Sequence, residues 1–142
     1  MSYLLDTDHL SLIQRPAGEA GQRVVTRLNS LASMDIAISV ISLHEQLMGV
    51  NNYIQKARST GEVVRGYSMF HQLLSVYSNA EVLPYGEQAA ELFERFRKEG
   101  NPAGTMDLRI ATIAMSTNRI LLTRNIRHFE SLPGLRLENW AD

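Results

Sequence analysis

The chain opens on a short apolar run, Tyr3 to Leu5, that stops at Asp6. An uninterrupted apolar run this short reads as a strand buried on both faces, which delivers Asp6 at its carboxyl end. A short helix is expected next, stopped near Pro16, because proline cannot continue a helix interior. From Gly21 to Leu31 the positions Val24, Val25, Leu28 and Leu31 fall near helical spacing,. Ile36 to Ser39 is a second, β-branched strand, and the helix after it carries Leu43, Leu47, Val50 and Ile54 along one stripe,.

The cleanest helical pattern is Val63, Tyr67, Phe70, Leu74 and Tyr77, which predicts a helix with that stripe turned to the core,. Glu81 to Leu83, closed by Pro84, reads as a third strand. Ala89, Leu92, Phe93 and Phe96 mark the next helix, which Gly100 ends. Beyond a Gly-Asn-Pro-Ala-Gly loop, Ile110, Ala111, Ile113 and Ala114 mark a helix, Ile120 to Thr123 a fourth strand and Leu135 to Leu137 a last short one. Short strands alternating with helices predict right-handed crossovers and a mostly parallel sheet of four or five strands covered on both faces. The expectation is a three-layer α/β fold, with residues 1–142 as a single domain. In such sheets ligands bind beyond the carboxyl ends of the strands.

Composition narrows the chemistry. At 44% hydrophobic and 20% charged residues the chain has the profile of an ordinary folded domain,. The absence of cysteine excludes disulfides, zinc–thiolate sites and thiol catalysis, so a metal must take oxygen or nitrogen ligands,. The apolar start has no basic segment before it, and no stretch reaches the roughly 20 apolar residues of a membrane span. A cytoplasmic protein with no membrane partner is expected. A net charge of −1 rules out grip on nucleic acid by bulk electrostatics, so any such contact must be local,. The positive charge is twelve arginines against Lys56 and Lys98, and arginine suits bidentate phosphate contacts as well as surface ion pairs,.

Asp6, Glu45, Asp107 and Asn125 all fall just after predicted strands or early in predicted helices, where only folding could gather them. Each has a plain structural reading. Asp6 could cap the following helix, although Asp8 is the expected cap, which leaves Asp6 needing another partner. Glu45 shares a stripe with Ile41 and Met48 and could pair with an arginine. Asp107 lies on the stripe of Ile110, Ala111 and Ala114, as a first-turn acid with Thr105 for a cap. Asn125, directly after a strand, is a common turn former. Read as a set, three carboxylates in one cleft would raise one another's pKa unless a cation neutralised them. A hard divalent ion such as Mg²⁺ resolves the conflict, held directly by Asp6 and Asp107 and through water by Glu45 and Asn125. Such an ion can generate hydroxide and neutralise the charge that develops on a phosphodiester.

On YLLDTDHLS, ISVISLHEQLMGV, GTMDLRIATIAMS and LLTRNIRHFESLPGLRLENW, in that order over residues 2 to about 140, the chain resembles the PIN-domain family, in particular the VapC-type toxins. The resemblance implies a Mg²⁺- or Mn²⁺-dependent endoribonuclease that cuts RNA by water attack, with Asp6, Glu45, Asp107 and Asn125 matching the family's acidic cluster. Many members carry Asp at the fourth position, so Asn125 lowers the site charge by one unit. A VapB-like antitoxin whose tail covers the cleft, and a toxin homodimer, are implied as well. Arg109, Arg119, Arg124 and Arg127 lie near the last two motifs and are candidates for RNA-phosphate contacts. Thr7, Ser11 and Thr123 are candidates for hydrogen-bond support. His9, His44, His71 and His128 have no partner at i, i+4, which argues against zinc, and His71 is expected to pack beside the core stripe.

Three other readings compete. Leu-Leu-Asp-Thr-Asp also looks like the nucleophile motif of haloacid-dehalogenase-type phosphatases, but that chemistry wants a lysine after a later strand, and Lys56 and Lys98 both look helical. A receiver-like signalling domain would need a lysine near residue 123, where Arg124 stands. A degenerate PIN-like domain that only binds a partner would typically lack one of the acids this chain retains.

Overall fold

The computed structural model describes residues 1–15, 18–32 and 35–142. Five short strands, β1 (Tyr3–Leu5), β2 (Ile36–Ser39), β3 (Val82–Leu83), β4 (Ile120–Leu122) and β5 (Leu137–Glu138), form one sheet in the order β3-β2-β1-β4-β5. Every pairing is parallel. Among the described residues seven helices connect and cover them: α1 (Thr7–Gln14), α2 (Gly18–Asn29), α3 (Val40–Gln55), α4 (Thr60–Ser78), α5 (Glu87–Lys98), α6 (Thr105–Ser116) and α7 (Ile126–Phe129). The expected three-layer α/β architecture is the one observed.

Alternation along the strands builds the two outer layers. Leu4, Ala37 and Leu121 stand in register and point to one face, where Phe96 of α5 and Leu108, Ile110, Ala111, Ile113 and Ala114 of α6 complete a core. Tyr3, Leu5, Ile38, Ile120 and Leu122 point to the other, against Leu10 of α1, Val24 of α2 and Trp140,. Because both faces are covered, β1, β4 and most of β2 are apolar, which is why their positions are readable from the apolar runs alone,.

Differences from the sequence expectation are local. α1 ends at Gln14, while Pro16, its expected stop, lies outside the described residues. The second helix runs Gly18–Asn29, so Leu31 lies past its end, and the last strand is shifted to Leu137–Glu138. α7 has no counterpart in the apolar pattern, being four residues long. Gly100 does stop α5: at φ 82° it admits the left-handed turn in which Asn101 N–H bonds to the Phe96 carbonyl at 3.0 Å,.

The largest correction concerns α4. Its Val63, Tyr67, Phe70 and Leu74 are exposed, with Tyr67 and Leu74 each at 59%, and His71 is exposed beside them. The buried line is Gly66 and Leu73, with Val76 and Tyr77 packed partly against the core. α4 docks on α3 as a hairpin and packs so tightly at Gly66 that an added Cβ would collide with Ile54 Cγ1. A contact centred on a residue without a side chain leaves no apolar signal of its own. The periodicity therefore picked out a neighbouring stripe, roughly 60° around the helix at 3.6 residues per turn.

Candidate active site

β1 sits at the middle of the sheet, with β2 on one side and β4 on the other, so the chain leaves β1 and β4 toward opposite sides and opens a crevice at their carboxyl ends,. Asp6 N–H bonds to the Leu122 carbonyl at 3.0 Å, which fixes the end of β1 beside the end of β4. Asp6, and not Asp8, is the N-cap of α1: its Oδ1 accepts the His9 backbone N–H at 2.8 Å. The cap and the candidate ligand are thus one carboxylate, buried to 4% exposure, and Asp8 is left exposed in the first turn. Capping uses Oδ1 and leaves Oδ2 without a protein donor among the described residues.

Glu45 is half-buried on α3, whose N-terminus is capped by Ser39 at the end of β2. Its partner is a hydroxyl and not an arginine: Thr7 donates to Oε1 at 2.7 Å, and Thr7 and Ser42 share a further contact of 2.9 Å. Burial pushes the Glu45 carboxyl above its ordinary pKa; the Thr7 hydrogen bond opposes this, and Asp107, Asp8 and Asp6 add to it.

Asp107 is the third residue of α6, half-buried, with the N-cap position held by Gly104 and no side-chain cap bond, so Thr105 does not serve as the expected cap. Burial raises its pKa first and the Asp6 charge next, while His128, whose Nδ1 lies 3.7 Å from Oδ2, pulls the other way and Asp8 adds a smaller rise. Asn125 follows β4 after Thr123, whose buried hydroxyl accepts the Asn125 N–H at 3.0 Å, and its side chain donates to Asp8 Oδ2 at 3.0 Å.

The fold therefore gathers Asp6, Glu45, Asp107 and Asn125 at one end of the sheet and adds Asp8 and His128. From the sequence Asp8 has only the role of a cap and His128 none in the site, because each is tied to the group by a contact with a residue distant in the chain or on another element. Of the expected supports, Thr7 and Thr123 lie in this cluster. Ser11 lies instead along a groove of about 660 Å³ between α1, α3 and α4, with Gln46, Val50 and Leu73. Among the arginines, Arg124 is held bidentate by Asp142, at 2.9 and 3.3 Å. Arg119 bonds the Tyr3 carbonyl and Glu81, and Arg109 stacks over Phe93. Arg127 is exposed.

All the donors in the cluster except His128 are oxygens, the set that suits a hard divalent cation. Among the described residues no three His, Asp or Glu side chains are arranged to enclose an ion.

No family model matches the chain. It is 30% identical to the tRNA(fMet)-specific endonuclease VapC of Salmonella typhimurium, with 99% of each chain covered. The chain belongs to the VapC family of ribonucleases. Another VapC relative, Ribonuclease VapC1 of Haemophilus influenzae, is 28% identical over 99% of each chain. The VapC fold agrees: the DNA-bound VapBC from Salmonella typhimurium superposes with a TM-score of 0.75 at 28% identity, over 99% of this chain and 98% of that one. VapBC-1 from nontypeable Haemophilus influenzae gives 0.77 over the whole of both chains at 22% identity, a likeness of fold. With the family shown, the phosphatase and receiver readings fall away. The chain's two lysines are not where those readings need one: Lys56 caps the end of α3 and Lys98 is the last residue of α5.

Proposed function

We propose that the chain is the toxin nuclease of a VapBC-like pair, a single PIN domain over residues 1–142 that hydrolyses RNA phosphodiester bonds in the cytoplasm with Mg²⁺ or Mn²⁺. The observation that carries the reading is electrostatic: Glu45 and Asp107 are both raised by burial and by other carboxylates of the same cleft, an arrangement that is costly without a cation and relieved by one,. Asp6 and Asp107 are the direct ligands, with Asp6 Oδ2 as the oxygen that capping leaves over. Glu45, Asn125 and Asp8 hold the waters that complete the ion's shell. The bound ion supplies an activated water and offsets charge on the phosphodiester. Thr7 orients Glu45, and Thr123 sets the turn that presents Asn125.

Arg127 is the first candidate for an RNA phosphate. Arg124 and Arg109 would contact RNA only by leaving Asp142 and Phe93. Transfer RNA is the substrate class suggested by the name of the Salmonella relative. A VapB-like antitoxin is the partner suggested by the VapBC complexes the chain superposes on, and a homodimer of the toxin belongs to the same reading.

Cleavage of total transfer RNA and other structured RNAs with Mg²⁺, Mn²⁺ or EDTA tests the reading, with Asp107→Asn prepared identically. Metal-dependent cutting by the parent and a loss of roughly a thousandfold in the variant are expected, since several kcal/mol of charge stabilisation go with the ion. Equal cutting by both preparations would identify a contaminant. No cutting by either, with no metal bound, would leave a partner-binding PIN-like domain.

A further inference from the structure

His9, the third residue of α1, is fully buried. Its Nε2 accepts the Trp140 backbone N–H at 3.2 Å. A ring nitrogen that accepts carries no proton, so the proton of the neutral imidazole is on Nδ1. Among the described residues Nδ1 is the buried side-chain polar atom that lacks a hydrogen-bond partner. Asp6 Oδ1 lies 3.6 Å from it, too far for a hydrogen bond,. Burying a donor unpaired is costly, and such a group calls for an explanation.

We propose that His9 is a positioning residue for Asp6: its Nδ1–H holds Asp6 Oδ1 in the working site, so that the carboxylate offers a divalent cation Oδ2 alone, in one orientation. The inference rests on the metal-dependent reading above. Closing the gap requires a movement of about 0.7 Å, from 3.6 Å to an ordinary N–H···O length,. Oδ1 would then take two donors from one residue, the His9 backbone N–H already at 2.8 Å and the imidazole. The end of the chain enforces the tautomer, because the Trp140 N–H can donate only to an unprotonated Nε2 and so keeps the proton on the Asp6 side. Trp140 is itself fastened, edge-to-face on Tyr3 at 4.9 Å between centroids and under the Arg27 guanidinium at 4.7 Å. Groups that orient a metal-binding carboxylate in this way typically contribute 10–100-fold to metal affinity or activity.

Two substitutions separate this role from packing. His9→Gln keeps an oxygen for the Trp140 N–H and removes the donor toward Asp6; His9→Asn keeps a donor at the δ position and loses the Trp140 tie. Calorimetric titration of the full chain with Mn²⁺, beside melts in EDTA, should show His9→Gln binding roughly 10–100-fold more weakly. Its EDTA melt should stay near the parent's. His9→Asn should melt lower yet bind within about threefold of the parent, a ratio that separates it from the range above. Parent-like binding by His9→Gln, or equal losses in the two variants, would overturn the proposal alone. A parent that binds no Mn²⁺ would overturn the metal reading beneath it as well. In the parent, ¹⁵N NMR of the imidazole should report the Nδ1–H tautomer and a downfield shift of that proton on adding Mg²⁺; an Nε2–H tautomer contradicts the assignment whatever the variants do.

Discussion

At the scale of the residue, the site is organised by hydrogen bonds that each do two things. Asp6 caps α1 through Oδ1 and keeps Oδ2 for the cleft, so the sequence choice between Asp6 and Asp8 as the cap was not a choice between structure and function. Local sequence cannot separate these two acids. What decides between them is the Asp6 N–H bond to Leu122, a contact across the sheet that sets where α1 begins. Thr7 is the clearest test of such coupling. Its hydroxyl bonds both Glu45 and Ser42, and its bond to Glu45 opposes the rise that burial imposes on that carboxyl's pKa. Thr7→Val conserves volume and removes the donor. The Glu45 carboxyl should rise further in the metal-free chain, read by NMR titration, and RNA cleavage should fall roughly 10–100-fold, the usual size of an orienting contact. An unchanged Glu45 titration in the valine variant would show that the 2.7 Å contact is not made in solution.

At the scale of the element, legibility follows burial. β1 and β2 fall on the residues their apolar runs mark, and α6 buries the very stripe of Ile110, Ala111, Ile113 and Ala114 that its spacing predicts, because these elements lie against the sheet. α4 does not, and its apolar pattern misled for the reason Gly66 supplies. Truncations on α4 should separate the two stripes. Leu73→Ala empties a buried position and should cost about 2–5 kcal/mol, whereas Leu74→Ala, at a site 59% exposed, should cost under about 1 kcal/mol,. Denaturant unfolding of both variants reads the difference directly, and equal losses would mean that Leu74 is covered in solution. Gly66→Ala sets a helix-propensity gain of about 1 kcal/mol against a collision with the Cγ1 methylene of Ile54,. Overpacking of this kind costs about 1–3 kcal/mol, so a net loss is expected. It should be partly recovered when Ile54→Ala is added, the non-additivity expected of residues in contact.

At the scale of the whole molecule, the fold spends stability to bring like charges together. The sequence shows which acids follow strands; that they face one another depends on a strand order that sets β1 beside β4 although more than a hundred residues separate them, and on a C-terminal segment that reaches back to His9. The cost of gathering them has a pH signature. Glu45 and Asp107 are raised in the folded chain, so between their unfolded and folded pKa values the folded state binds more protons than the unfolded state. Stability therefore falls as pH rises through that window: the contribution is whole below the ordinary carboxylate range and lost above the raised values. In EDTA the parent should lose melting temperature as pH rises above the ordinary carboxylate range more steeply than Asp107→Asn, since the amide has no charge to be disfavoured and other groups cancel in the comparison,. A divalent ion binds the ionised form, so its stabilisation, about 2.7 kcal/mol at a hundredfold excess over Kd, should grow over the same window in which the metal-free chain weakens. Scanning calorimetry of both proteins at several pH values, with EDTA and with Mg²⁺, measures both slopes. If the two proteins ran parallel in EDTA and Mg²⁺ added the same increment at every pH, the carboxylates would not be repelling one another in the metal-free cleft. The electrostatic ground for placing a cation among them would then be gone.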